Sequence, residues 1–327
     1  MNRIIATFDV ITPLFLGGAD PAETAELRAP SIKGVLRFWW RALAWSRCND
    51  LAKIHAEEQQ VFGAAETGQS SFQLRTRWLQ EASLLSNTRS LVSNRFGTSY
   101  LGYGVINRGK GQTPRPALDG DGRFEISLLS LNREAGTSKR HDIDRHLVDA
   151  LKLFGLLGGL GGRARRGWGS VAMTSVAGAE WATPVDLGMY QTALASLVGS
   201  TFNAPQPAYS AFGKGTRLWV FGVKSDPIDV LNCIGMAYQE FRKKNRTFAF
   251  GLPHKRWTGK EDRRASPLLF HLHRLRNEYA AAVAFLRSPF LEGQPLDSDY
   301  DNIDKLFEQL PVMLKQKGLA QAAAVIP

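Results

Sequence analysis

The residues best equipped for chemistry lie in one run, Gly158–Ser170, which reads Gly-Gly-Leu-Gly-Gly-Arg-Ala-Arg-Arg-Gly-Trp-Gly-Ser. Gly158, Gly159, Gly161 and Gly162 let the main chain approach a partner closely and offer amide N–H groups to an anion. Arg163, Arg165 and Arg166 add guanidinium forks suited to phosphate, and Trp168 offers a ring face for a base. The competing reading is a surface loop with a solvated charge run. Gly159-x-Gly161-x-x-Ala164 imitates a dinucleotide fingerprint, but that fingerprint follows a strand and opens a helix. Here a helical pattern precedes the glycines and a strand pattern follows. A second near match, Gly104-x-x-x-x-Gly109-Lys110, has Gly111 where a P-loop needs Ser or Thr. No nucleotide cofactor, nor any other, is expected.

Two more segments carry cations. Lys33, Arg37 and Arg41 recur at i, i+4 and i+8, which puts them in one stripe of a helix. They read either as its wet face or as a second wall for the same anion. Trp40 could stack on a base, although half of the Trp39-Trp40 pair belongs to a core. Residues 242–276 hold eleven Lys and Arg against two acids, Glu261 and Asp262. That window mixes Lys255, Arg256, Trp257, Arg263 and Arg264 with Phe248, Phe250 and His254. Aromatic side chains among cations suit single-stranded RNA, where bases stack and phosphates pair.

Hydrolysis of RNA needs a general base near the 2′-OH, and His is the usual choice. The histidines are His55, His141, His146, His254, His271 and His273. His141 and His146 stand before or at the start of the helix that feeds the glycine run, so they could approach RNA. A helix-start residue and a solvated-face residue explain them as well. His271 and His273 share one face of a strand with no third ligand nearby, so no metal site is assigned. Asp20 lies in the loop after the first strand and is a candidate acid, but Asp20-Pro21 is also a common turn pair. No catalytic residue is assigned.

The chain has 327 residues, with 41 Lys+Arg against 30 Asp+Glu and a formal net charge of +11. A composition 44% hydrophobic and 10% aromatic supports a sizeable core and excludes a disordered tail protein. The surplus of positive charge bears on partners, and it favours polyanions. It concentrates where acids are absent: residues 27–49, 82–118 and 150–179 contain no Asp or Glu. Two cysteines, Cys48 and Cys233, are too few for a disulfide scaffold or a thiolate zinc site and fit a reducing compartment. The N-terminus imitates a signal peptide from Arg3 to Ala19, but Asp9 with Thr7, Thr12 and Pro13 makes it an ordinary first strand. No window approaches the roughly eighteen apolar residues of a membrane span. A soluble, cytoplasmic protein is expected.

The elements that must position these residues follow from periodicity. Strands are expected at 5–10, 71–79, 123–131 and 170–176, with helices from Ser31 as N-cap, at 51–62 and at 142–157. Residues 84–121 form a long insertion with one strand around 100–106. Loops of that length are uncommon inside a domain and are usually functional or mobile. After a boundary near 179–184 come helices at 186–198, 228–243 and 303–316, and strands at 217–223, 266–273 and 279–286. The fold class is therefore α+β: two ferredoxin-like (RRM-like) domains, 1–178 and 179–327, packed together. The insertion lies in the first, and the second is the more degenerate.

A glycine-rich, Arg-bearing loop between the last helix and last strand of such a domain resembles the signature of the CRISPR RAMP superfamily. Ile11-Thr12-Pro13-Leu14-Phe15-Leu16-Gly17-Gly18-Ala19 and Leu27–Arg41, with Ser31-Ile32-Lys33-Gly34 before Trp39-Trp40, narrow this. They resemble the first-numbered subunits of type III-B Cmr effector complexes. Phe250-Gly251-Leu252-Pro253 and Arg263-Arg264-Ala265-Ser266-Pro267-Leu268 resemble the same family. The resemblance implies an RNA-binding subunit of an antiviral ribonucleoprotein. It would lie near the 3′ part of the guide RNA and the paired target RNA, beside other RAMP subunits. It also implies a non-catalytic chain, since target cleavage belongs to the repeated backbone subunit. Guide-processing relatives often carry a His on the first helix, where this chain has none, and the acid of the cleaving subunits does not align with Asp20. The alternative is a metal-independent endoribonuclease acting on guide precursor. If the cations form one strand-binding groove, log affinity for single-stranded RNA should fall against log salt with a slope of about −0.7 per phosphate neutralised. A filter-binding titration at several salt concentrations measures it, and binding indifferent to salt would contradict the groove.

Overall fold

The computed structural model describes residues 3–106, 114–131, 137–245, 248–251, 265–289, 297–319 and 322–326. The first half runs β1 (Arg3–Val10), α1 (Ala29–Arg47), α2 (Leu51–Phe62), β2 (Phe72–Gln80), β3 (Leu84–Leu85), α3 (Phe96–Leu101), β4 (Ala117–Leu118), β5 (Arg123–Ser130), α4 (Thr137–Leu157) and β6 (Val171–Val176). Its main sheet has the order β2-β5-β1-β6, antiparallel throughout. Period-two alternation decides the faces. Ile4, Ala6 and Phe8 of β1 point inward with Phe124, Ile126 and Leu128 of β5. Ile32, Leu36, Trp39 and Leu43 of α1 and Leu147, Leu151 and Phe154 of α4 cover them. Phe8 lies 5.4 Å from Phe124 and 5.1 Å from Phe154, so strand and helix share one aromatic cluster. The expected Ser31 cap is not used. Helix α1 begins at Ala29 after Arg28, with Pro30 in its first turn, where the fixed proline φ is already helical.

The second half runs α5 (Leu187–Val198), β7 (Arg217–Lys224), α6 (Pro227–Lys244), β8 (Leu268–Arg274), β9 (Tyr279–Phe285), α7 (Asp297–Gln316) and β10 (Ala322–Ile326). Its sheet has the order β10-β7-β9-β8, again antiparallel, with β10 the strand that completes it. The expected degeneracy is therefore corrected: this sheet has the same connectivity as the first. The sequence hides β10 because three of its five residues are alanines, which carry little β preference. The insertion also differs from expectation. Helix α3 ends at Leu101 and turns follow it where a strand at 100–106 is expected, while a small β3-β4 ribbon forms nearer the two ends of the insertion. Gly102 and Gly104 break any strand there, and α3 is fixed by packing on α6, which no local pattern announces.

The second sheet is covered on both sides. Phe270 and Leu272 face α6 and α7, while His271 and His273 face α4 and α5. Both histidines are buried. His271 Nδ1 donates to the Gly158 carbonyl at 2.8 Å, and the His273 ring stacks on Tyr190 with centroids 4.4 Å apart. These contacts use the histidines as core residues. Among the described residues no group of three or more His, Cys, Asp or Glu could hold a metal, and no helix is long and apolar enough to cross a membrane.

Burial sets a pH dependence. It pushes His271 down to about 3 and His273 well below the ordinary 6.5. The unfolded chain therefore binds more protons than the folded one below 6.5, and stability falls as the pH drops through that window. Each histidine removes about 1.4 kcal/mol per pH unit well below 6.5. Denaturant unfolding at pH 7 and pH 5 should show that loss, and His271→Asn should reduce it by about half. A profile unchanged by the substitution would contradict the assignment.

Candidate nucleic-acid interface

The glycine run is a braced turn. Leu160 N donates to Gly169 O at 2.9 Å, and Gly162 N donates to Phe15 O at 2.9 Å. The Thr12 hydroxyl donates to Gly167 O at 2.7 Å and accepts from Ser170 N at 2.9 Å. The Ser170 hydroxyl donates to Gly167 O at 3.0 Å and accepts from Leu272 N at 3.1 Å. Phe270 N donates to Arg165 O at 3.1 Å. The run is thus held by the β1–α1 loop on one side and by the outer edge of β8 on the other.

These bonds change what the glycines are for. A Cβ at Gly161 would sit 2.6 Å from Phe15 O, and one at Gly158 would sit 2.7 Å from Trp39 Nε1. The amides of Gly158 and Gly162 already donate to Phe154 O and Phe15 O. They are not anion donors. The expected stacking faces are corrected as well. Trp168 is fully buried, edge-on to Phe15 with centroids 5.4 Å apart, and Trp40 is fully buried against Phe62. Both rings belong to cores, so neither can receive a base.

The arginines are the part of the turn that faces outward, and they separate. Arg163 has φ 64, and Arg166 N closes back on Arg163 O at 2.7 Å. Arg163 and Arg166 enter a groove of about 970 Å³ between the glycine turn, α3 and α6. Arg165 turns the other way, its guanidinium 5.1 Å from the Phe38 ring centre and its Nη1 donating to Ser266 O at 2.8 Å. There it shares a depression of about 360 Å³ with Arg41, His55 and Tyr209.

Arg242, Lys243 and Lys317 join Arg163 and Arg166 in lining the larger groove, against a single acid among the described residues, Glu240. The rings of Tyr238 and Phe270 lie 5.1 and 5.5 Å from the Arg166 guanidinium, and those of Tyr238 and Phe250 lie 5.8 and 5.4 Å from that of Arg242. The aromatic floor therefore holds both cations in place. Burial, and then the neighbouring Arg166 charge, lower the Arg163 pKa, a cost that a bound anion would relieve. Arg242, Lys243 and the insertion residues Phe96, Tyr100 and Tyr103 were not singled out from the sequence. The signal was present, because the acid-free window 82–118 contains all three aromatics.

The helix stripe is less available than its spacing implied. Arg37 bonds Glu58, and Arg41 Nη1 lies 3.4 Å from the same carboxylate, whose side chain is 5% exposed. Lys33 sits 5.6 Å above the Phe72 ring, and burial with the Arg37 charge lowers its pKa. Only Arg41 of the three lines either of the two depressions. The uncovered face of the first sheet has no aromatic platform. It carries Arg77 and Arg3 on Glu125 at 2.9 and 3.8 Å, and Arg123 and Arg274 on Asp9 at 2.6 and 3.0 Å.

Asp20 is occupied locally. Its Oδ1 accepts from Ala22 N at 2.8 Å, and its carbonyl accepts from the Thr24 hydroxyl at 2.8 Å. His146 lies 3.9 Å from Glu57 of α2 with a largely buried side chain, and it lines neither depression. His141 lies on α4, and its side chain is outside the described residues. Lys255, Arg256, Arg263 and Arg264 are also outside them, on the segment bounded by the groove residues Gly251 and Ala265.

Two antiparallel sheets joined through a glycine turn, with a cationic, aromatic-floored groove beside the joint, define an α+β protein. Residues 7–172, just over half of the chain, match the model of the RAMP superfamily, and the chain belongs to that superfamily. The Pyrococcus furiosus protein named CRISPR system Cmr subunit Cmr1-1 is 28% identical over 300 residues, covering 82% of each chain. Its companion Cmr1-2 is 28% identical over 180 residues, covering 52% of this chain and 95% of that one. The crystal structure of apo Cmr1 from Pyrococcus furiosus superposes with a TM-score of 0.69 at 24% identity, covering 99% of both chains. A chain of the type III-B Cmr-beta structure bound to cognate target RNA gives a TM-score of 0.61 at 14% identity, covering 95% and 99%. Both share the mixed α and β fold.

The burial of Trp168 gives a direct test. Trp168→Ala should lower stability by about 3–5 kcal/mol, as large core truncations do. Single-stranded RNA affinity of the protein that remains folded should be unchanged. An affinity loss with little change in unfolding midpoint would restore Trp168 as a base-stacking residue.

Proposed function

We propose that this chain is the Cmr1-type subunit of a type III-B CRISPR effector complex, that it binds RNA there, and that it does not cut it. The observation that carries the reading is the groove, where, among the described residues, five cations and an aromatic floor meet a single carboxylate. The Cmr1 relatives and the fold shared with a chain of an RNA-bound Cmr-beta structure support it. In this reading the groove takes the phosphodiester backbone of one strand, the 3′ part of the guide, the paired target, or both. The partners are those RNAs and other RAMP subunits, in the cytoplasm. Residues 1–178 and 179–327 are two ferredoxin-like domains, each with the strand order this fold requires, and the glycine turn joins them. Arg163 and Arg166 are the phosphate contacts of the turn, with Arg165 and Arg41 on the adjoining depression.

The test uses exposed groove cations. Arg163→Asn keeps a residue that tolerates the left-handed backbone at that position, and Lys243→Ala removes a charge from the surface of α6. Each should weaken single-stranded RNA binding and flatten the salt slope by about 0.7 for every phosphate left without its cation. Unchanged affinity in the double variant would refute the groove. RNA incubated with the protein, with and without divalent metal, should remain intact. Cleavage abolished by Asp20→Ala or His146→Ala would establish the endoribonuclease alternative.

A further inference from the structure

The insertion presents aromatic side chains that the core does not use. Phe96 is 77% exposed and Tyr103 is 67% exposed, yet both line the cationic groove. Exposed rings on a wandering loop would mean little, but the segment that carries these is fixed. Gly97 packs directly on the backbone of α6 at Asn232, and any side chain there would collide with it. The Asn232 side-chain carbonyl accepts from Gly97 N at 2.9 Å and from Thr98 N at 3.4 Å. Arg95 clamps the start of the segment with bonds of 2.8 Å to Asp226 and 3.0 Å to Asp229. Gly97, Thr98 and Leu101 are buried, while Phe96, Ser99 and Tyr100 lie on the groove side at i, i+3 and i+4. Tyr103 follows just beyond the helix end. Holding two large rings in water on a rigid frame, next to Arg163 and Arg166, exposes apolar surface that folding would otherwise bury.

We propose that Phe96 and Tyr103 form a stacking site for unpaired bases of the RNA strand whose phosphates the groove cations hold. The proposal rests on the RNA-binding reading of that groove and adds what kind of nucleic acid it selects. Stacking uses the π-face common to every base, so the rings take unpaired nucleotides, at the end of or beyond any guide–target pairing, with little sequence preference, whereas bases within a duplex stack on one another. It also supplies the function that the buried Trp168 and Trp40 cannot. A protein partner is the rival occupant of these rings. The unbalanced positive lining favours the polyanion, because a protein segment docking there would need several carboxylates in place of one backbone.

The test uses the full chain and a single-stranded oligoribonucleotide carrying 2-aminopurine, with a length-matched oligomer bearing abasic ribose units as the phosphate-only probe. The wild-type protein should quench the reporter and prefer the base-bearing strand by about tenfold per stacked ring. Phe96→Ala with Tyr103→Ala should bring affinity for the base-bearing strand down to that for the abasic one. Abasic binding and its salt dependence should be unchanged, and Tyr103→Phe should retain wild-type behaviour. If the double variant binds the base-bearing strand as tightly as the wild type, the stacking site is overturned and the rings belong to a protein contact, with the groove reading intact. If it loses both probes equally, the rings act by positioning the groove and the site is also overturned. If the wild type binds neither probe, the groove reading falls and the stacking site with it.

Discussion

Two buried hydroxyls, Thr12 and Ser170, set the arrangement on which everything at the groove depends. Both bond the Gly167 carbonyl, one receives the Ser170 amide, and the other receives the amide of Leu272 on β8. Three polypeptide segments that are remote in sequence, the β1–α1 loop, the glycine turn and β8, are locked by these bonds at a point from which water is excluded. A buried amide or carbonyl without a partner costs more than an ordinary hydrogen bond contributes, so the three segments have little freedom to separate. β8 is the outer strand of its sheet, and its edge would otherwise present open donors and acceptors. The glycine turn takes that edge. Its glycines are needed because the chain passes within van der Waals distance of other backbone: a Cβ at Gly161 would strike the β1–α1 loop at Phe15, and one at Gly159 would strike the turn's own return at Gly169.

A turn fixed in this way decides where its arginines go. The left-handed backbone at Arg163 and the closing bond from Arg166 reverse the chain, so adjacent guanidinium groups leave on different sides. Arg163 and Arg166 share a groove with α3 and α6, and Arg165 reaches Phe38 and Ser266. The bond from Arg165 to Ser266 stands between the two depressions, since Ser266 lines one and Arg165 lines the other. One strand passing along both would meet cations at each without any movement of the turn.

The sequence reveals whichever of these features are local. Alternation in β1 and β2, apolar runs in β5 and β9, and helical spacing in α1, α2 and α6 are properties of short windows, and those elements appear where the pattern puts them. Of the arginines of the turn, Arg163 is exposed and Arg165 and Arg166 are half-buried, their guanidinium groups packed on rings that come from distant segments. The rest depends on packing between distant segments. Trp40 and Trp168 carry the same chemistry whether they face solvent or a core, and only the closure of Phe62 and Phe15 over them decides. The stripe of Lys33, Arg37 and Arg41 has the right spacing, but the acid that occupies two of its members, Glu58, arrives on the next helix. α3 exists through its packing on α6, and β10 through its pairing with β7.

Pairing of charge also explains why a net charge of +11 does not give a uniformly basic surface over the described residues. Glu58 gathers Arg37 and Arg41, Glu125 gathers Arg3 and Arg77, Asp9 gathers Arg123 and Arg274, and Asp226 with Asp229 holds Arg95. In each case a carboxylate that is buried, or sits on a folded interface, is set against cations from other elements, and the result is structural. Among the described residues, Arg163, Arg166 and Arg242 have no carboxylate partner, and aromatic rings support Arg166 and Arg242 instead. A ring positions a guanidinium without neutralising it. The acids thus determine the site as much as the bases do: by pairing with cations over the sheet face and the first helix, they leave Arg163, Arg166 and Arg242 as described cations without a carboxylate partner where the turn, α6 and the insertion meet.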